Sequence, residues 1–212
     1  DHALLPAYLV VTGKCPRAIA TDVRPGPLAA ARATLRELGV ERQVELRLGY
    51  GLTVLKPHEV DAVVIAGVGA HTAIALLERS PTVRAAVRRF VLQPAQGAAL
   101  LRRWLAEHGF RLVKEELARE GNRFHEVMAA EAGREEVRHP RLLELGLEVG
   151  PRLWEERHPL LRAFLEDRLA RYRRILARLE ASGLGSDRSW PRFRAKTEAL
   201  EALLGELDAA EG

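Results

Sequence analysis

Five short stretches of this 212-residue chain hold the residue types from which a ligand site could be built. They are Asp1-His2, Asp22, Gly49-Tyr50-Gly51-Leu52, Ala66-Gly67-Val68-Gly69-Ala70 and Leu92-Gln93-Pro94. The last four each close a short apolar or β-branched run. In an open α/β sheet ligands sit beyond the carboxyl ends of the strands, so these are the positions at which chemistry is expected. A carboxylate at Asp22 can accept both hydroxyl hydrogen bonds of a ribose. Small residues after the next two runs let the backbone approach a flat ligand. Gln93 and Pro94 place an uncharged amide and a rigid turn at the rim. Each has a plainer reading: Asp22 caps a helix opening near Pro25, Gly49 to Gly51 form a bare turn, and Gly67 and Gly69 provide helix–sheet clearance.

The elements needed to position them can be read from the hydrophobic pattern. Strands are expected at 17–22, 44–49, 61–66 and 88–93, and helices at 2–11, 26–38, 71–79 and 96–108, which makes successive βαβ units of a parallel sheet. Residues 110–119 and 123–131 then read as two strands joined through Gly121-Asn122, a tight-turn pair with no helix between. Residues 134–159, with Pro140, Pro151 and Pro159, read as a linker with one short helix. Beyond it, Leu161, Leu165, Leu169, Tyr172, Leu176 and Leu179 recur at helical spacing, as do Phe193, Thr197, Leu200, Leu204 and Leu207. Two facing amphipathic helices, joined through the glycine-containing stretch 182–191, form a coiled-coil-like hairpin. The expected domains are 1–133, the linker 134–159 and the hairpin 160–212.

Composition narrows the class. There are 33 basic and 29 acidic residues, a formal charge of +4, and a single cysteine, Cys15. Polyanion binding is permitted. A disulfide framework and a thiolate metal site are excluded, and a reducing cytoplasm fits. The histidines show no ligand spacing, so no metal is expected. No apolar run is long enough for a membrane span and no signal segment opens the chain, so a soluble cytoplasmic protein is expected. The opening Asp-His-Ala reads as a chain whose native start lies upstream.

A parallel sheet that finishes in an antiparallel hairpin is characteristic of class I methyltransferases. A nicotinamide-dependent oxidoreductase would instead need a GxGxxG loop, which is missing. The ordered set DHALLP, AIATDV, GYGL, IAGVG, VLQP and GNRFHEVMAAE resembles the bacterial tRNA (adenine(22)-N1)-methyltransferase family, and the likeness covers nearly the whole chain. It implies a Rossmann-like class I methyltransferase sheet lacking its first strand, S-adenosyl-L-methionine as cofactor and tRNA as partner. Family members carry an Asp-x-Gly-Ser loop ahead of the DH pair, which has no counterpart here.

By this resemblance Asp1 is the active-site carboxylate near the target base, with His2 beside it. Asp22 binds the cofactor ribose, and Gly67, Val68 and Gly69 line the methyl-transfer site. The cofactor set is then Asp22, Gly49, Tyr50, Gly51, Ala66 and Gly67. Val68, Gly69, Gln93 and Pro94 face the substrate. Two departures stand out: Tyr50 replaces the Asp of GDGL, and Ala95 the Asn of LQPN. Tyr50 could stack on the cofactor adenine or offer its hydroxyl.

Adenine N1 lies on the Watson–Crick edge, so the enzyme must capture an unpaired base or extrude one. Its lone pair is already nucleophilic, and alignment rather than a strong base carries the transfer. From Arg162 to Lys196 there are ten basic and four acidic residues. Arg171, Arg174 and Arg178, with Arg173, Arg188, Arg192 and Arg194, could follow an RNA backbone, or simply form a solvated face. Trp154 and Trp190 could stack on bases or pack at a junction. The alternative function is a non-catalytic RNA-binding protein that keeps a methyltransferase scaffold.

Overall fold

The computed structural model describes residues 2–182 and 189–211. The chain forms two compact units, residues 1–61 with 75–87, and residues 62–74 with 88–212. These boundaries differ from the expected divisions at 133 and 159.

The first unit is a βαβ element. Strand β1 (Ala18–Asp22) runs parallel to β2 (Val44–Leu48), in register from Ala18↔Val44 to Asp22↔Leu48. Helix α2 (Pro25–Glu37) joins them. Its prolines fall in the first turn, where no backbone N–H is required. Helix α1 (Leu4–Val11) lends Ala7 to a small core with Ala3, Ala31, Leu35, Val40 and Val44. After β2 a 3-10 turn spans Gly51–Val54, and α4 (Pro81–Ala86) follows later in the chain. Helix α3 (Ala70–Glu78) crosses the boundary between the units.

The second unit holds a four-stranded sheet in the order β3-β4-β6-β5. Its strands are β3 (Ala62–Val68), β4 (Arg89–Pro94), β5 (Phe110–Glu120) and β6 (Arg123–Ala132). β3 and β4 are parallel, while β6 is antiparallel to both β4 and β5. The parallel strands expected in one sheet thus lie in two, β1-β2 and β3-β4.

Residues 134–159 hold two short helices, α6 (Pro140–Glu144) and α7 (Pro151–Glu155), where one was expected. Leu142, Leu145, Val149, Leu153 and Trp154 are buried there. They share a core with Phe164, Leu165, Leu169 and Tyr172 of α8 (Leu161–Ala181) and with Leu200, Leu203 and Leu207 of α9 (Ser189–Glu211). Burying each such leucine contributes about 1.5–3 kcal/mol, so this segment is built into the unit and is not a tether. Pro140 and Pro151 begin helices instead of breaking them. Trp154 packs in this core and is not presented to a base.

A fully buried arginine ties the helices to the sheet. Arg102, on α5 (Ala98–Glu107), donates to Glu115 and Glu126 at 2.7 Å each and to the Leu147 carbonyl at 3.0 Å. Arg168 of α8 donates to the other oxygen of Glu126 at 2.7 Å. Burial alone would lower the Arg102 pKa; the two carboxylates outweigh it and hold the guanidinium charged. Among the described residues no helix is long and apolar enough to cross a membrane.

Candidate active site

The residues expected to carry chemistry divide between the units. Asp22, Gly49, Tyr50 and Gly51 belong to the first, and Ala66, Gly67, Val68, Gly69, Gln93 and Pro94 to the second. Asp1 lies outside the described residues. His2 is exposed, in the left-handed region with φ +50°.

In the first unit the parallel pairing of β1 and β2 brings their carboxyl ends together. The Gly49 N–H donates to the Asp22 backbone carbonyl at 2.9 Å. One carboxylate oxygen of Asp22 accepts the Arg24 N–H at 2.8 Å, in the turn that leads into α2. Arg24 is the N-cap of α2 and no side chain caps it, so Asp22 braces the turn before the helix and is not its cap; its second oxygen has no hydrogen bond among the described residues. Gly51 sits at φ +56°, a backbone region that favours glycine, and a Cβ there would push on the tip of the Leu76 side chain at 2.4 Å. The Arg79 guanidinium lies 4.4 Å from the centre of the Tyr50 ring. This contact covers one face of the ring.

Arg47, which the sequence reading did not single out, clamps this turn. From β2 it donates to the Val54 carbonyl at 2.8 Å, to Glu45 at 2.8 Å and to Glu59 at 2.6 and 2.9 Å. The guanidinium, helped by the Lys56 backbone N–H, holds the Glu59 pKa down at about 2. The alternation Glu45-x-Arg47, opposite charges on one strand face, was the available signal.

In the second unit β3 bulges between Ala66 and Val68. At the bulge Gly67 has φ +75°, and a Cβ built on it would meet no atom within 4 Å. Helix–sheet clearance does not explain this glycine, because its open side faces no neighbour. Its N–H donates to the Gln93 side-chain oxygen at 2.8 Å, and the Ala95 N–H donates to the Val68 carbonyl at 2.8 Å. Gln93 therefore spends its carbonyl on the neighbouring strand end. Gly69 lies beside Gln96, whose amide nitrogen would stand 3.6 Å from an added Cβ. Arg123 at the start of β6, also missed from sequence, donates to the Ala95 carbonyl at 3.3 Å.

On α8, Arg171, Arg174 and Arg178 are exposed, with no ion pair among the described residues. Arg173 and Arg194 are paired with Glu201 and Glu198. Trp190 is half-buried, with the Arg194 guanidinium 5.3 Å from its ring. Arg188 lies outside the described residues. An open cleft lined by Arg111, Arg134, Arg138 and Arg152 contains none of the strand-end residues. Among the described residues no group of three or more His, Cys, Asp or Glu could hold a metal ion.

The family sequence model of tRNA (adenine(22)-N(1))-methyltransferases matches residues 1–202. The chain belongs to this family. A tRNA (adenine(22)-N(1))-methyltransferase of Bacillus subtilis (strain 168) is 34% identical over 159 residues, which is 74% of this chain and 67% of the relative. The crystal structure of the B. subtilis m1A22 tRNA methyltransferase superposes with a TM-score of 0.82 at 28% identity, covering 96% of this chain and 88% of that one. The Streptococcus pneumoniae protein Sp1610, crystallised with S-adenosyl-L-methionine, gives 0.77 at 28% identity with the same coverage.

Proposed function

We propose that this chain is an S-adenosyl-L-methionine-dependent methyltransferase that methylates N1 of adenine 22 in tRNA, in the bacterial cytoplasm. The observation that carries this is the family match over residues 1–202. The residues present fit the cofactor: Gly67 offers an open backbone surface at a strand end, and Asp22 keeps one carboxylate oxygen free of hydrogen bonds among the described residues. When bound, the cofactor supplies an electrophilic methyl group on a sulfonium.

Asp22 accepts the ribose hydroxyls on the oxygen that Arg24 leaves open. Tyr50, backed by Arg79 on one face, offers its other face to the adenine ring, while Gly49 and Gly51 keep the turn low enough to reach. Ala66 and Gly67 give the cofactor a wall with no side chain larger than a methyl group. Val68, Gly69, Gln93 and Pro94 line the approach of the target base, with Gln93 held in place by Gly67. Asp1 accepts a hydrogen bond from the exocyclic amine and balances the charge that N1 alkylation creates, with His2 beside it. Arg171, Arg174 and Arg178 hold RNA phosphates.

The test is methyl transfer by the full-length protein from labelled S-adenosyl-L-methionine to unmodified tRNA. One label per tRNA, mapped as N1-methyladenosine at position 22, is expected. Tight tRNA binding with no transfer would establish the non-catalytic RNA-binding alternative.

A further inference from the structure

We propose that Arg123, at the tip of the β5–β6 hairpin, is a substrate-binding residue that holds an RNA phosphate beside the target adenine once that base has left the stack. This rests on the methyltransferase reading and adds to it the group that captures the extruded nucleotide.

The strand register fixes where Arg123 stands. β6 runs antiparallel to β4 with Phe90↔Ala130 and Leu92↔Met128, so the start of β6 lies at the end of the sheet where β4 finishes in Gln93-Pro94. There Arg123 donates through one Nη2 to the Ala95 carbonyl, while the Ala95 N–H donates to Val68. The Gln93 amide meanwhile holds the Gly67 N–H. The ends of three strands are thus linked, with a guanidinium on the outside of the link.

That guanidinium is set apart from those held in ion pairs. Arg47, Arg89, Arg102, Arg173 and Arg194 are each matched by a carboxylate within hydrogen-bond distance. The one partner of Arg123 among the described residues is a neutral carbonyl, which leaves its full positive charge and its remaining donors exposed. Glu120, its cross-strand partner, lies 3.3 Å from His125. The small side chain of Ala95 adds no polar group of its own at this turn. A fixed guanidinium fork suits the paired oxygens of a phosphate. Drawing the N1 edge out of a stack rotates the nucleotide about its backbone and swings the adjoining phosphates towards the enzyme.

The experiment uses the full-length protein and tRNA carrying 2-aminopurine at the target position, whose fluorescence rises on unstacking. Arg123→Gln keeps a donor for the Ala95 carbonyl but removes the charge; Arg123→Lys keeps the charge. The expected result is a loss of the fluorescence rise with Arg123→Gln and its recovery with Arg123→Lys. Single-turnover methylation at saturating tRNA should fall at least about tenfold for Arg123→Gln, with cofactor affinity unchanged. Wild-type fluorescence and rate in Arg123→Gln would overturn the proposal and leave Arg123 a structural link. Failure of the wild-type protein to methylate would instead strike the methyltransferase reading.

Discussion

The side-chain oxygen of Gln93 accepts the backbone N–H of Gly67 at 2.8 Å, joining the ends of two parallel strands at the bulge where β3 leaves the sheet. Since the open side of Gly67 meets nothing, the only cost of a side chain there in the free protein is its left-handed backbone, about 1–2 kcal/mol. Gly67→Ala should therefore lower the melting temperature by only a few degrees, yet reduce methylation at least about tenfold, because the methyl group fills ligand space. Wild-type activity in a folded Gly67→Ala protein would mean that no ligand approaches that surface.

Asp22 combines one observed bond with one proposed role. Its bond to the Arg24 N–H stabilises the entry to α2, and its other oxygen is assigned to the ribose. Asp22→Asn keeps an acceptor for Arg24 and should preserve thermal stability, while Asp22→Ala should lose about 0.5–1.5 kcal/mol with that one hydrogen bond. Both should weaken S-adenosyl-L-methionine binding at least about tenfold by calorimetry, since charge-assisted hydrogen bonds contribute about 1.5–3 kcal/mol. An Asn variant that binds like wild type would reduce Asp22 to the turn alone.

The strands were readable because their apolar runs and closing glycines are local; β3 was expected at 61–66 and spans Ala62–Val68. The segment 134–159 was misread because its prolines sit at helix starts, and nothing nearby in sequence announces that Leu142 and Leu153 meet α8 and α9. Gly67, Gln93 and Asp22 could be singled out from their places after strands. Arg102 and Arg123 could not: their partners lie 13 to 45 residues away, as with Arg102 to Leu147 and Arg123 to Ala95, and only the folded chain defines them, while Arg47 had its neighbour Glu45 as a local signal. Tyr50 was expected as a stacking surface, and the structure adds that Arg79 takes one of its faces.

Arg47 and Glu59 set an acid limit on the turn that carries Tyr50. The Glu59 pKa is held at about 2, below its ordinary value of 4.5, so the folded state favours the ionised carboxylate. Its contribution to stability is complete above pH 4.5 and is lost as the pH falls towards 2. Glu59→Gln should flatten the slope of melting temperature against pH in that window and leave neutral pH little changed. An unaltered slope would show that other carboxylates govern acid unfolding.

Removing Arg102 should be among the most damaging single changes. Arg102→Ala leaves Glu115 and Glu126 buried without their cation, at a cost of about 3–5 kcal/mol in chemical denaturation. Adding Glu115→Gln to Arg102→Leu should recover part of that loss, because one uncompensated charge is removed. No recovery would mean that lost packing, not stranded charge, dominates.

The arm and the strand ends should fail in different ways. Arg171, Arg174 and Arg178 are exposed on α8 with their charges unmatched among the described residues, whereas Arg173 and Arg194 already face Glu201 and Glu198. A phosphate that meets an unmatched guanidinium releases a condensed counterion, and each such contact adds about 0.7–0.9 to the slope of log affinity against log salt. Reversing Arg171, Arg174 and Arg178 to Glu should therefore weaken tRNA binding most at low salt and flatten that slope by about 2–3. Reversing Arg173 and Arg194 should change it less, since those side chains must first leave their carboxylates. Single-turnover methylation at saturating tRNA should survive the triple reversal, because none of the three touches the reacting base. If the slope is unchanged, α8 is not the surface that grips tRNA. If instead the rate at saturation collapses while the slope holds, the arm acts on the orientation of the bound RNA and not on its capture.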